Sequence, residues 1–157
     1  MPSRLRNITR YVQALAVPPQ RHANDVEARP GERLFMESQC GRCHVPELRT
    51  GRAQIASVSN LVMRPYIDLS LHEMGAELSD CQPDFLANER QWRRLPLWAL
   101  GLQKTVNGHT DLFHDARVRN FEEVIAWHGG ETQKSRERFL NMDRRERAAL
   151  VRFLEPI

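Results

Sequence analysis

Leu5, Ile8, Val12 and Leu15 recur at alternating three- and four-residue intervals. That is the stripe of an amphipathic helix, and it predicts one over residues 4–17. Residues 18–30 are polar and bounded by prolines, so they read as a linker. Pro30-Gly31-Glu32 then opens a second helix, which carries Leu34, Phe35 and Met36. Residues 45–60 contain Gly, Thr and Ser with weak periodicity and read as loop. Ile67, Leu71, Met74 and Leu78 are spaced for a short helix within residues 66–78, although Gly75 weakens it. Residues 82–87 read as loop and 86–95 as a helical turn. The apolar run Pro96-Leu97-Trp98-Ala99-Leu100-Gly101-Leu102 is expected to pack against something flat.

Two later segments carry start and stop signals. Asn120 stands three residues before Glu123, a capping-box spacing, ahead of a helix over residues 121–127 that Gly129-Gly130 ends. Asp143 and Glu146 repeat that spacing before a last helix with Leu150, Val151 and Leu154 on one face, stopped by Pro156. No strand pattern and no internal repeat stands out. The expected fold class is all-α, with long loops.

Composition excludes some functions. Hydrophobic residues make up 41% and charged residues 27%, enough apolar matter for a core. The net charge is +3, and the arginines that supply it are dispersed. Arg144-Arg145-Glu146-Arg147 reads as a solvated helix face rather than a nucleic-acid footprint. No run approaches the roughly 20 apolar residues of a membrane span. The segment near Tyr11 is too short and too polar for a signal-peptide core.

Three cysteines are too few for a disulfide framework. Two of them lie in Cys40-Gly41-Arg42-Cys43-His44. Each part of this motif has a chemical reason: two thiols to add to the porphyrin vinyl groups, and a histidine placed to ligate the iron. The expectation is one haem c, covalent through Cys40 and Cys43, with His44 as axial ligand. Gly31 and Phe35, nine and five residues before Cys40, would let another helix approach closely and pack against it. A haem would also account for long loops in a small helical domain, by giving them an apolar centre to wrap. A zinc site would need a second pair of ligands at short spacing. Cys81 stands alone, and His109 and His114 offer a single x₄ spacing. A dithiol redox pair would need a βαβ context, which is missing. Cys81 itself reads as a bystander thiol, or as a partner for another chain.

The second axial ligand has several candidates: Met36, Met63, His72, Met74, His109, His114, His128 and Met142. His128 continues the stripe Phe121, Val124, Ile125, so its ring is expected on the buried face of that helix. Met74, on a weaker stripe, is the alternative.

The order of motifs resembles the C-terminal haem domain of the bacterial di-haem cytochrome c peroxidase superfamily, in its di-haem oxidoreductase (thiol oxidoreductase) branch. The matching pieces follow the haem motif as Pro65-Tyr66-Ile67-Asp68-Leu69-Ser70-Leu71-His72-Glu73-Met74-Gly75, Trp92-Arg93-Arg94-Leu95-Pro96-Leu97-Trp98-Ala99-Leu100-Gly101, Phe113-His114-Asp115, and Phe121-Glu122-Glu123-Val124-Ile125-Ala126-Trp127-His128-Gly129-Gly130-Glu131. They cover most of residues 30–157. The resemblance implies a cytochrome c-like haem domain there, with residues 1–29 as an N-terminal helix and linker ending a preceding domain. It places His128 where the peroxidases have a methionine ligand and the quinone-cofactor-forming relative a tyrosine, so it implies bis-histidine ligation by His44 and His128. It implies a place beside the haem for His114, by contact at its edge or propionate, and it usually has glycine where this chain has Ala116. Trp92, Trp98 and Trp127 could shorten tunnelling routes or simply pack.

The family enzymes carry two haems, whereas this chain has one Cys-x-x-Cys-His motif. The expected function is therefore electron transfer through one iron, in the manner of a cytochrome c domain. The alternative is a peroxidase or related oxidoreductase, or its electron-entry half. The expected partner is a redox protein or a second haem domain, with no nucleic acid. The expected location is the periplasm or another extracytoplasmic space, with a leader outside this sequence.

Overall fold

Arg29–Glu37 (α2) starts with Pro30 in its first turn, where a missing N–H costs nothing. The computed structural model describes residues 3–15, 17–21, 23 and 25–157. Within them α2 is preceded by α1 (Ser3–Gln13) and a short 3₁₀ turn at Val26–Ala28. Ala16, at the end of the first expected helix, lies outside the described residues, as do His22 and Asn24 of the expected linker. The α1 stripe is as amphipathic as expected, yet Leu5, Ile8, Val12 and Leu15 are all exposed.

α2 buries Gly31, Leu34 and Phe35 against the last helix, α6 (Arg144–Leu154). Gly31 is required by that contact. A Cβ there would lie 2.0 Å from the Ala149 carbonyl oxygen and 2.7 Å from the Phe153 Cβ. Phe35 packs at a tilt on Phe153 and edge-to-face on Tyr66, at ring-centroid distances of 5.4 and 5.9 Å. These rings, with Phe139, Leu150, Leu154 and Ile157, form the main core. α6 begins with a complete capping box between Asp143 and Glu146. Arg144, Arg145 and Glu146 are exposed, as a solvated helix face should be, but Arg147 is half-buried, donating to the Leu140 and Met142 carbonyls with its guanidinium 5.4 Å from the Phe139 ring centre.

Between the cysteine motif and α6 come α3 (Gln103–Asn107), α4 (Phe121–Ala126) and α5 (Gln133–Leu140). Asn120 caps α4 by accepting from the Glu123 amide, but the Glu123 carboxylate reaches back to the Arg119 N–H, so only half the box closes as anticipated. The sequence signals gave no notice of α5, whose Phe139 is buried in the core.

The fold is not all-α. Two small antiparallel sheets interrupt it. β1 (Leu48–Arg49) pairs with β2 (Val62–Met63), with Leu48 opposite Met63. β3 (Leu71–Glu73) pairs with β4 (Gln91–Arg93), with His72 opposite Trp92. β3 falls where the apolar spacing predicts a helix, and β4 falls within the expected helical turn. Two backbone features explain the failure of the helical reading. Tyr66 and Leu69 adopt φ of 53° and 62°, and Gly75 adopts 88°, none of which a right-handed helix can contain. The chain is also held extended by ladder bonds from β3 to β4, flanked by Met74 N–H to the Arg90 carbonyl and Arg94 N–H to the Ser70 carbonyl. Met74, Leu78 and Trp92 form a second buried cluster over this sheet, with Phe113 and Trp127 against it. No helix among the described residues is long and apolar enough to cross a membrane.

Candidate functional site

The cysteine motif is folded as a tight turn. Gln39 takes a left-handed conformation (φ 66°) that ends α2, and Cys40–Arg42 form one turn of 3₁₀ helix. The His44 N–H donates to the Cys40 carbonyl at 2.9 Å, which folds the histidine back beside the first cysteine. Cys40, Cys43 and His44 share the wall of a cavity of about 820 Å³. That volume is in the range of pockets that take sizeable organic ligands.

The opposite wall comes from α4 and the residues after it. Phe121, Val124, Ile125 and His128 all line the cavity, so the stripe read from spacing faces inward. Phe35, Met74 and His114 are also on the wall. Of these, Phe35 and Met74 are buried in the two core clusters. His114 is exposed on one side; its Nε2 bonds the Arg93 carbonyl at 2.7 Å, and its ring meets the edge of Trp92 at 5.4 Å. Ala116, just beyond, adopts φ 60°, the left-handed geometry that favours glycine. The remaining thiol, Cys81, is exposed.

His44 and His128 are prepared in the same way. The His44 Nδ1 lies 3.1 Å from the Tyr66 carbonyl, and the His128 Nδ1 lies 2.7 Å from the Val124 carbonyl. A carbonyl only accepts, so in each ring Nδ1 carries the proton and Nε2 keeps its lone pair. The Tyr66 carbonyl is presented by a residue with φ 53°, a strained conformation held by burial of its ring. Burial pushes His44 down to about 3, helped by the nearby Arg94 guanidinium and by His128. Burial pushes His128 down to about 4, against its bond to Val124 and with help from Arg94. Both rings are therefore neutral at ordinary pH, the form that ligates metals. Burial also pushes Cys40 up to about 11 and raises Cys43, so both thiols are protonated.

His72, one of the ligand candidates, is engaged elsewhere. Its Nε2 lies 2.7 Å from Asp68 and its Nδ1 3.0 Å from Glu131. Cys43, Asp68 and His72 have donor atoms within 4.8 Å of one another, a grouping that could hold a cation. As arranged, carboxylates face both His72 nitrogens, the Cys43 thiol is protonated, and Cys40 is not in the group. Burial opposes ionisation of Asp68. The Ser70 amide, His72 and Arg94 outweigh it and hold the carboxyl below its ordinary range. Glu131 is likewise held low, first by His72 and then by the Glu73 amide. The arrangement is that of a hydrogen-bonded brace between β3 and the segment after α4.

Reading for metal ligands singles out neither this brace nor Arg94, which is buried on the cavity wall. Nothing local distinguishes Arg94 among 21 arginines in the sequence. The Pro96 that follows two residues later marks an extended segment, which was the available hint.

No curated protein and no solved structure matches the chain. A family model described as "Di-haem oxidoreductase, putative peroxidase" matches residues 4–157. That span takes in every element of the cavity, with Cys40, Cys43, His44 and His128. The chain therefore belongs to the di-haem oxidoreductase family, and its chemistry is that of a haem-binding oxidoreductase.

Proposed function

We propose that this chain is an electron-transfer domain of c-type cytochrome character, holding one haem through Cys40 and Cys43 with His44 and His128 as axial ligands to its iron. The observation that carries the reading is the pair of neutral imidazoles in one cavity, each with Nδ1 tied to a backbone carbonyl and Nε2 unshared. Such outer bonds fix a ring's tautomer and orientation, the usual support for a metal-ligating histidine. The donor set also suits a haem: two thiols on one wall, two imidazoles and an apolar lining from Phe35, Phe121, Val124 and Ile125.

A bound haem supplies one-electron redox chemistry. His44 and His128 would hold its iron and would stay its ligands in both oxidation states, and the apolar lining would exclude water from the cavity. Histidine rather than methionine at the second position favours a lower potential. The alternative ligand is Met74, whose burial beside Leu78 and Trp92 is explained by packing alone.

The family description favours a second reading, in which the chain is a peroxidase or the electron-entry part of a two-haem enzyme. The single Cys-x-x-Cys-His motif argues for the electron-entry role, with a redox protein or second haem domain as partner. The exposed stripe on α1 is in keeping with that helix lying against another body, whereas Arg21 and residues 25–29 join the domain of residues 30–157: the Arg21 N–H donates to the Pro156 carbonyl, Arg152 pairs with Asp25 and Glu27, and Ala28 is buried. Covalent haem attachment is extracytoplasmic chemistry, so we place the protein in the periplasm or an equivalent space.

Absorption and electron paramagnetic resonance spectra of the haem-loaded protein test the reading. A low-spin bis-histidine signal with no carbon monoxide binding is expected, and His128→Ala should become high-spin and bind carbon monoxide. A low-spin spectrum retained in His128→Ala would remove His128 as ligand. A high-spin native protein that reacts rapidly with peroxide would favour the enzyme. His44→Ala should abolish normal ligation.

A further inference from the structure

Arg94 is 7% exposed, and its Nε and Nη2 have no hydrogen-bond partner. The Trp92 side chain, two residues earlier, is 8% exposed and its Nε1 is also without a partner. Positions two apart on an extended chain leave it on the same face, and both residues line the large cavity. An unpaired buried guanidinium is costly, and it is stable only with an anion against it. Among the described residues the protein does not supply one. Asp68 and Glu131 lie near enough to act on Arg94 electrostatically, but both are bonded to His72, and no ion pair to Arg94 is found among the described residues. The unmet groups are all donors, so the missing ligand is an acceptor with negative charge.

We infer that Arg94 and the Trp92 indole N–H form a carboxylate-binding site inside the cavity, and that its occupant is a propionate group of the haem. This rests on the haem reading above. The planar fork of Arg94 suits a carboxylate, with the indole N–H as a further donor. The site positions the macrocycle by its polar edge, while the cysteines fix the vinyl edge. It also balances the propionate charge, which otherwise disfavours adding an electron to the iron.

The test uses the haem-loaded protein with ¹³C-labelled propionates. Haem content is first measured as the pyridine haemochrome; a native chain without it would overturn the haem reading itself. With haem present, Arg94→Gln should shift the infrared carboxylate band. At the potential where the native protein is half reduced, it should also lower the reduced-to-oxidised ratio by about tenfold. Arg94→Lys should restore most of that ratio. Trp92→Phe, which keeps the ring and loses the N–H, should shift the band with a smaller change in ratio, and it carries the test if Arg94→Gln does not mature. Native band and native ratio in Arg94→Gln, or in Trp92→Phe where that variant alone matures, would overturn the assignment.

Discussion

The two walls of the cavity are built by different means. The cysteine wall rests on α2 and α6, two regular helices in contact through Gly31 and a cluster of interlocked rings. Beside α4, the rest of the facing side, from Asp68 through Ala116, is mostly irregular and includes Cys81, Phe85, Ala99, Phe113 and Ala116 at positive φ. It is held by short ladders, the His72 brace and Arg117, whose guanidinium sits 5.6 Å from the ring centres of both Trp92 and Trp127. Hydrophobic packing of this kind does not titrate, whereas charge-based bracing does. The difference separates what anchors the thiols from what shapes the rest of the pocket.

Gly31→Ala is the sharpest way to break the helical wall. Its methyl group would meet backbone rather than a movable side chain, so α2 and α6 must separate. A loss of about 3 kcal/mol is expected in urea unfolding. Caps give the next largest contrast. Asp143→Ala removes a complete box and should cost about 1 to 2 kcal/mol. Asn120→Ala removes half of one and should cost about 0.5 to 1 kcal/mol. Ala116→Gly should have the opposite sign. It relieves a left-handed alanine and should raise stability by about 1 kcal/mol or less in the same measurement.

The smallest effect expected is a pH dependence confined to the loop wall. Asp68 and Glu131 have folded values below their ordinary 3.8 and 4.5. Their stabilisation is therefore present above those values and is lost as pH falls below them, when the unfolded chain takes up protons first. Glu131 is half exposed, so solvent screening keeps its share small. On acidification through pH 4, tryptophan fluorescence from Trp92 and Trp127 should change before far-ultraviolet dichroism does. Simultaneous loss of both signals would mean that the two walls unfold as one unit.

Helix signals were legible because they are local. Pro30, the Asp143–Glu146 box and the stripe from Phe121 to His128 each act within a few residues. The spacing of Ile67, Leu71, Met74 and Leu78 misled because periodicity reports which residues are buried, not how the backbone buries them. Those positions do include buried residues, Ile67, Met74 and Leu78, but the chain joining them is a strand over Leu71–Glu73 and a single 3₁₀ turn over Ala76–Leu78. His128 was visible as a cavity residue for the same reason that β3 was not: its helix is real, and its neighbours on the stripe all face inward.

By itself the sequence determined the cysteine motif, the family to which the order of motifs belongs, and the helices α2 and α4 that precede His44 and His128. Only the tertiary structure decided which nitrogens remain unshared. That depends on the Tyr66 and Val124 carbonyls, on a backbone twist at Tyr66 and on the burial that keeps both rings neutral. It also decided that His72 is held between two carboxylates, one of them from a segment 59 residues away. Arg94, two residues from an unpaired indole, was left facing the cavity without a partner. Such relations join residues distant in the chain, and desolvation of a charge exists only once the fold has closed around it.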